Sequence, residues 1–178
     1  MSLPADLAVR AAAPGDEAAL AALVAACDET YRDWAPPGWE PPPAGRELER
    51  WRGRITDGSW WTRVAAERAG ERIVGLVCFT QAVAEREDGT RTMEPIPGRA
   101  HVSAMFTHPD RWREGIGRAL LEEAEAAMRA ARYAEAQLWT PERAPARAFY
   151  EALGWIHDGR RQWLDDLSLP IVAYVKGL

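Results

Sequence analysis

The sequence predicts an α/β fold, in which the strands of one sheet alternate with helices. Residues 60–66 and 72–81 have the composition of two strands and are joined by a short polar turn that contains glycine, as in a hairpin. Residues 101–107 form a further predicted strand. A strongly amphipathic helix follows Gly115 and adds the helical layer.

The rest of the chain divides into shorter elements. A first strand is predicted at 9–13, and Asp16 is the expected N-cap of the helix that follows. A proline-rich loop at 35–44 precedes a short helix at 46–55. The remaining predicted segments are a polar loop or loosely formed hairpin at 83–98, a strand at 136–140, a helix at 144–153 stopped by Gly154, and closing strands at 155–159 and 169–175. Because the sequence contains no internal repeat, we expect one domain over residues 1–178.

Two of these elements have faces that follow from residue spacing. In the strand at 101–107, alternation predicts one face made of Val102, Ala104 and Phe106, and an opposite face made of His101, Ser103, Met105 and Thr107. The helix after Gly115 has a predicted apolar stripe of Ile116, Leu120, Ala124, Ala127 and Ala131. Its predicted polar stripe is made of Arg118, Glu122, Glu125, Arg129 and Arg132.

Composition and charge exclude several classes of function. A net charge of −5 lacks the basic surface that nucleic-acid binding requires. No apolar run is long enough to span a bilayer, and the N-terminus lacks a signal pattern, so we expect a cytoplasmic protein without membrane partners. Cys27 and Cys78 lie in apolar surroundings and are expected to be small buried side chains. No metal site is expected, because no group of ligand-type residues has metal-binding spacing.

The segment between the strand at 101–107 and the next helix has the features of an anion site. The first N–H groups of a helix lack internal partners, and the positive end of the helix dipole lies there. Gly115 and Gly117 allow the backbone to approach a ligand closely. Arg111, Arg113 and Arg118 add positive charge around the opening, so a pyrophosphate fits such a site.

Three other interpretations of the glycine pair are a simple turn, a Rossmann loop and a Walker A loop. On the pair alone, a tight strand-to-helix turn without a ligand is the better interpretation. A Rossmann loop would place its third glycine at Leu120 and would follow the strand directly, whereas a long arginine-bearing loop intervenes here. A Walker A loop needs a lysine after its glycine, and Lys176 is the only lysine.

Two segments resemble the GNAT superfamily of acyl-CoA N-acyltransferases. The lead-in His108-Pro109-Asp110, followed by Gly115 and Gly117 at the start of a helix, resembles the acetyl-CoA loop of that family. Downstream, Phe149-Tyr150-Glu151 and Gly154-Trp155 resemble its Phe-Tyr-Glu-x-x-Gly-Phe/Trp ending. Both blocks lie in the second half of the chain, in the family's order and spacing. The resemblance implies a GNAT fold: an α/β fold with a mixed, mostly antiparallel sheet flanked by helices.

The resemblance also implies acetyl-CoA as cosubstrate and a set of residues that bind it. Backbone amides of residues 113–118 would hold the pyrophosphate, and the end of the central strand would bind the pantetheine arm and polarise the acyl carbonyl. The sequence departs from the family pattern at Trp112, where Arg or Gln is usual, at Glu114, whose carboxylate must point outward, and at Arg143, where Asn is frequent. The implied cofactor-binding residues are Met105, Phe106, Thr107, Arg111, Trp112, Arg113, Glu114, Gly115, Ile116, Gly117, Arg118, Arg143 and Arg147.

Tyr150 and His101 are the candidate catalytic residues. By resemblance, the Tyr150 phenol donates a proton to the departing CoA thiolate; the alternative is a core tyrosine that only packs. His101 begins the central strand and titrates near neutral pH, as a general base must. Further candidates for the base are the acids of the preceding polar segment: Glu85, Glu87 and Glu94.

The resemblance to the GNAT family implies that the first part of the chain forms the wall that receives the acceptor. Trp34 and Trp39 flank the proline-rich loop. They either line a pocket for a flat or cationic acceptor or pack the short helix onto the sheet. The same region carries the acidic residues Asp28, Glu29, Asp33 and Glu40.

The predicted function is transfer of an acetyl group from acetyl-CoA to a primary amine of a small molecule or peptide. The transfer would be direct, within a ternary complex. One alternative is a non-catalytic acyl-CoA sensor or regulatory partner on the same fold, which would keep the phosphate loop without using Tyr150. A second is an oxidoreductase that binds a dinucleotide at the Gly115 turn. A homodimer is expected from the resemblance alone.

Overall fold

The computed structural model describes residues 3–43, 45–70, 72–85 and 91–178. The strands are β1 (Leu7–Ala11), β2 (Trp61–Glu67), β3 (Ile73–Glu85), β4 (Arg91–Thr107), β5 (Glu135–Pro141), β6 (Ile156–Leu164) and β7 (Leu169–Gly177). The helices are α1 (Glu17–Glu29), α2 (Gly45–Thr56), α3 (Ile116–Ala130) and α4 (Ala146–Ala152), with short 3-10 turns at Thr30–Asp33 and Pro109–Arg111.

The strands form one 7-stranded sheet in the order β1-β2-β3-β4-β5-β7-β6. Neighbouring strands are antiparallel except for β4 and β5, which are parallel. A helical crossover, α3, joins these two strands, as a parallel connection requires. The prediction of a mixed, mostly antiparallel sheet flanked by helices is therefore confirmed. No helix within the described ranges is long and apolar enough to cross a membrane.

Two predicted features have different outcomes. Of the two alternatives for the polar segment at 83–98, the hairpin is confirmed, because β3 and β4 remain paired as far as Glu85 and Arg91. Asp16 stands at the N-cap position of α1 but makes no capping bond to the helix. Its carboxylate instead accepts the Ala13 amide at 2.8 Å and pairs with Arg10 at 2.7 Å, so it ties β1 to the start of α1.

The helices cover both faces of the sheet. Residues of β2 alternate between two apolar clusters: Val64 and Ala66 pack with α1, whereas Ala65 packs with α3. Cys27 of α1 and Cys78 of β3 are free and buried in the α1 cluster, as predicted. The α1–α2 layer and the α3–α4 layer therefore approach the sheet from opposite sides.

The α3 layer lies unusually close to the sheet at Gly75. A Cβ atom at this position would lie 2.9 Å from both Ile116 Cγ2 and Leu120 Cδ1. Any larger residue would force these two side chains, or the helix that carries them, to shift. Gly75 therefore sets the position of the helix whose N-terminus carries the predicted phosphate loop.

A β-bulge on β4 overturns the predicted faces of that strand. Cys78 pairs with Ala104 whereas Phe79 pairs with Val102, so Ser103 is an extra residue on β4. Val102 consequently packs in the α3 cluster and Ala104 in the α1 cluster. The prediction that Val102, Ala104 and Phe106 share a face is wrong, because one inserted residue reverses the alternation.

The predicted polar stripe of α3 is also wrong at Glu125. This side chain is 5% exposed and accepts hydrogen bonds from Lys176 Nζ at 2.7 Å and from Trp155 Nε1 at 3.2 Å. Ala131, predicted on the apolar stripe, is exposed at the helix C-cap. The buried carboxylate is compensated by the only lysine of the chain, which β7 brings to it.

Candidate active site

A wedge opens between the two parallel strands at the centre of the sheet. β4 and β5 pair from Arg99↔Glu135 to Val102↔Leu138. Beyond these residues, β4 stays paired with β3 and β5 stays paired with β7, but the two strands are no longer paired with each other among the described residues. We call the gap between residues 103–107 of β4 and 139–141 of β5 the wedge. Met105, Phe106 and Thr107 lie along it.

The mouth of the wedge is braced at the Thr107 carbonyl. Trp112 Nε1 donates to this oxygen at 2.7 Å, and Cys27 Sγ donates to it at 3.3 Å. The first contact fixes the loop after β4, and the second fixes the end of α1. Met105, Phe106 and Thr107 are all half-buried, so this end of β4 is accessible at the wedge.

The loop after β4 directs a run of backbone amides toward one opening. Arg113 and Gly115 have positive φ values of 67° and 84°. Left-handed residues of this kind occur where successive N–H groups turn to one side and form an anion-binding nest. The amides of residues 113–118 donate no hydrogen bond to any described part of the chain. We call these groups the amide run; Ile116 and Gly117 supply its helical end.

The side chains of this loop contribute less charge than the sequence suggests. Arg111 lies against three carboxylates: Glu114 at 2.8 Å, Asp6 at 3.0 Å and Glu67 at 3.2 Å. Its charge is therefore used to anchor the loop to the edge of the sheet. The same contact pairs the Glu114 carboxylate with a cation, which offsets its negative charge beside the amide run. Arg113 is exposed.

Gly117 joins the amide run to the wedge. A Cβ atom there would lie 3.3 Å from Met105 Cε, 3.4 Å from Thr107 Oγ1 and 3.5 Å from Phe149 Cζ. The absence of a side chain allows the first turn of α3 to lie against the end of β4 and against α4. An anion held by the amides would consequently lie beside the wedge. Arg118 lies on the outer side of the same turn, 3.6 Å from Glu122.

Tyr150 is buried on α4, next to the Phe149 ring that faces Gly117. The Tyr150 ring lies 5.4 Å from Phe149, 6.3 Å from Trp155 and 6.2 Å from Tyr174, measured between ring centroids. The residue is 6% exposed, and burial raises the pKa of its hydroxyl. The phenol is therefore protonated at neutral pH and can act as a donor.

Arg143 and Arg147, the two downstream arginines predicted to bind the cofactor, have different surroundings. Arg147 Nε donates to Tyr174 Oη at 2.9 Å, and Tyr174 in turn donates to Glu151 Oε1 at 2.6 Å. This chain of bonds ties α4 to β7 and occupies Arg147 within the fold. Arg143 is exposed and lines a shallow crevice together with Trp34.

Of the predicted bases whose side chains the structure describes, neither His101 nor Glu94 lies at the open part of the wedge. His101 is 8% exposed and pairs with Gln137 just before the last β4–β5 pair, which places it at the closed end of the wedge. Glu94 is exposed on the distant part of β4. Glu87 and the side chain of Glu85 lie outside the described residues.

Aromatic residues of the first part gather near the wedge. The Tyr31 ring lies 4.6 Å from that of Trp34 and 5.8 Å from that of Trp39. Trp39 is buried, and its Nε1 donates to the Leu167 carbonyl at 2.7 Å. Trp39 thus packs the proline-rich loop onto the β6–β7 turn, whereas the half-buried Trp34 lines the crevice. We call Tyr31, Trp34 and Trp39 the aromatic cluster.

One candidate functional residue is not singled out by the sequence. Residue type groups Asp28 with the acids around it, yet it is 6% exposed at the end of α1. Burial raises its pKa to about 7, the Glu47 carboxylate adds to the shift, and Arg50 opposes it. Helical spacing is the signal that locates it, because Asp28 follows Leu20 and Val24 at intervals of one turn on the buried stripe.

Comparison with known proteins gives one family and one fold. Residues 24–155 match the model of the Acetyltransferase (GNAT) family. No significant match occurs among curated proteins.

Several solved structures share the fold at low identity. A GCN5-related N-acetyltransferase from Rhodopseudomonas palustris superposes with a TM-score of 0.69 at 18% identity, over 100% of this chain and 98% of that one. Another GCN5-related N-acetyltransferase, from Kribbella flavida, gives a TM-score of 0.66 at 15% identity, over 97% and 98%. The Paia N-acetyltransferase of Thermoplasma acidophilum, solved in complex with coenzyme A, gives 0.62 at 16% identity over 100% of both chains.

Proposed function

Because the chain belongs to the GNAT acetyltransferase family, we propose that it transfers an acetyl group from acetyl-CoA to a primary amine. The acceptor would be a small molecule or a peptide, and residues 1–178 would act as one catalytic domain. The observation that carries the proposal is the amide run beside the wedge. Open amides suit a pyrophosphate, and an unpaired strand edge suits an amide-bearing arm.

The described residues suggest how acetyl-CoA would be held. The amides of 113–118 would bind the pyrophosphate, with Arg113 and Arg118 near the opening. Backbone groups of Met105, Phe106 and Thr107 would bind the pantetheine arm along the open edge of β4. Arg111 and Arg147 would act indirectly, because their guanidinium groups are already engaged within the fold. When bound, acetyl-CoA supplies an activated acyl group and a thiolate leaving group.

The surroundings of the wedge favour direct transfer without an acyl-enzyme. Cys27 is the thiol at the wedge, and burial raises its pKa to about 12 while its Sγ donates to Thr107. A thiol that stays protonated is a poor nucleophile. The acceptor amine would therefore attack the acyl group itself, and Tyr150 would protonate the departing sulfur.

One observation favours a second candidate function. The Tyr150 ring packs within an aromatic group, and burial makes its hydroxyl a weaker acid than an ordinary tyrosine. A tyrosine that only packs would leave a non-catalytic acyl-CoA sensor on the same fold. The acetyltransferase would release CoA from acetyl-CoA and the sensor would not, whereas both would bind acetyl-CoA.

The proposal is tested by thiol release from acetyl-CoA in the presence of a panel of primary amines and their matched alcohols. We expect CoA thiol to appear with at least one amine and at the background rate with its alcohol, because the acceptor wall is acidic and aromatic. Release driven by alcohols instead would assign O-acetyl transfer. Binding of acetyl-CoA without release on any acceptor would favour the sensor.

A further inference from the structure

Asp28 is a buried carboxylate without a partner. It is 6% exposed, yet within the described part of the chain its oxygens make no hydrogen bond and no ion pair within 4.0 Å. The two oxygens are not completely enclosed by protein, so solvent still reaches them. A buried acid normally has hydrogen-bond donors, and leaving it without them costs stability. The carboxylate is thus open to a ligand.

The position of Asp28 connects it to the wedge. Its neighbour Cys27 bonds the Thr107 carbonyl at the mouth of the wedge. Burial raises the pKa of Tyr31, and charges on Asp28, Cys27 and Tyr150 raise it further. Tyr31 of the aromatic cluster follows Asp28 by three residues, across the junction of α1 with the 3-10 turn, so the two side chains are neighbours.

The charges around Asp28 leave room for a cation. Glu47 and Arg50 of α2 face it, and Glu29 follows it on α1. Arg50 is shared, because it pairs with Glu47 and also with Asp166 of the β6–β7 turn at 3.1 Å. The Arg50 charge lowers the pKa of Asp28 but Arg50 makes no ion pair with it, so a place beside the Asp28 carboxylate is left for an incoming ammonium.

We propose that Asp28 binds the ammonium group of the acceptor and accepts its proton before the amine attacks. This role rests on the proposed acetyl transfer and specifies its general base, for which His101 is badly placed at the closed end of the wedge. Burial, which raises the pKa of Asp28 to about 7, suits a group that must accept a proton near neutral pH.

Two protons leave the acceptor nitrogen during the transfer. The Asp28 carboxylate takes one proton from R–NH3⁺ and leaves R–NH2. The amine nitrogen forms a C–N bond to the acyl carbon, and the C–S bond breaks. Tyr150 gives its proton to the sulfur and regains the second proton that the nitrogen loses. Asp28 then releases its proton to solvent.

The test compares 2-phenylethylamine with 2-phenylethanol, because the aromatic cluster suits a phenyl group. Calorimetry on CoA-loaded protein at about pH 8 should show the amine binding at least roughly tenfold more tightly than the alcohol, since a charge-assisted bond is lost with the alcohol. Asp28→Asn should bring the two affinities within about threefold of each other. Glu49→Gln, which removes an exposed carboxylate on α2, should keep the wild-type ratio.

A second measurement uses the wild-type protein alone. The affinity for the amine should fall between about pH 8 and about pH 5.5, because Asp28 becomes protonated while the probe stays charged. Three results would overturn the role of Asp28. The first is a wild type that binds the amine no more tightly than the alcohol, and the second is an Asp28→Asn variant that keeps the wild-type preference for the amine. The third is a wild-type affinity for the amine that does not change with pH. Failure of the wild type to bind acetyl-CoA would instead contradict the proposed function. In that case the amine and the alcohol are titrated into protein without CoA, so that a lost preference for the amine is still seen apart from a lost cofactor site.

Discussion

Tyr150→Phe should lower turnover by roughly 10- to 1000-fold, which overlaps the contribution of about 10²- to 10⁴-fold that one general acid makes. The change removes only the hydroxyl, so the ring contacts with Phe149, Trp155 and Tyr174 remain. Acetyl-CoA affinity should stay within about threefold of wild type, because the amide run lies on another element. The measurements are steady-state thiol release and calorimetric titration of the same preparation.

Tyr133→Phe is the matched control for this variant. Tyr133 also packs edge-on against an aromatic ring, with its centroid 6.3 Å from that of Phe79, but it follows α3 and lies away from the wedge. This control should keep full turnover. If Tyr150→Phe kept full turnover with a verified acceptor, Tyr150 would be a packing residue and another group would have to protonate the sulfur.

Gly117→Asp should weaken acetyl-CoA binding by roughly 100-fold or more. The new carboxylate would stand at the first turn of α3, where it would compete for the amide run and repel the pyrophosphate. Loss of two charge-assisted hydrogen bonds costs roughly 3–6 kcal/mol, and each 1.4 kcal/mol is about tenfold in affinity. The new side chain would also crowd Met105 and Phe149. Calorimetric titration measures the loss.

Gly58→Asp is the control for charge and for glycine replacement. Gly58 is exposed between α2 and β2, and a Cβ atom there would meet nothing within 4 Å. This variant should bind acetyl-CoA as the wild type does. A Gly117→Asp protein that remained folded by circular dichroism and bound with wild-type affinity would exclude the amide run as the phosphate site.

The parts of the fold that the sequence predicted correctly depend on neighbouring residues. Gly115 and Gly117 mark the start of α3 because the signal lies within one turn. The hairpin of β2 and β3 follows from alternation and a short turn. Both features can be predicted from a short stretch of sequence. The family resemblance then indicated that the loop before α3 binds a cofactor.

The errors arise where distant residues meet. Glu125 lies on a stripe that looks polar until β7 brings Lys176 to it. Arg111 looks free to bind phosphate until the sheet edge brings Asp6 and Glu67 against it. Such pairings depend on strand order, which residue spacing does not encode.

Two features of the site itself have only weak local signals. The bulge at Ser103 reverses the faces of β4 without any glycine or proline to mark it. Asp28 resembles its acidic neighbours in residue type, although its helical spacing puts it on the buried stripe. Buried acids are rare outside functional sites and networks of paired charges. The helical spacing of Asp28 is therefore more informative than its residue type.

Titration of the purified protein with acetyl-CoA is the measurement to make first, with NADH and ATP as controls. Trp112 is 51% exposed and bonded to the end of β4, so its fluorescence should report binding at the amide run. Saturable binding of acetyl-CoA, without comparable binding of NADH or ATP, is the expected result. No saturation at about 1 mM acetyl-CoA would mean a dissociation constant too weak for a cosubstrate site, and the acetyltransferase assignment of this loop would be contradicted.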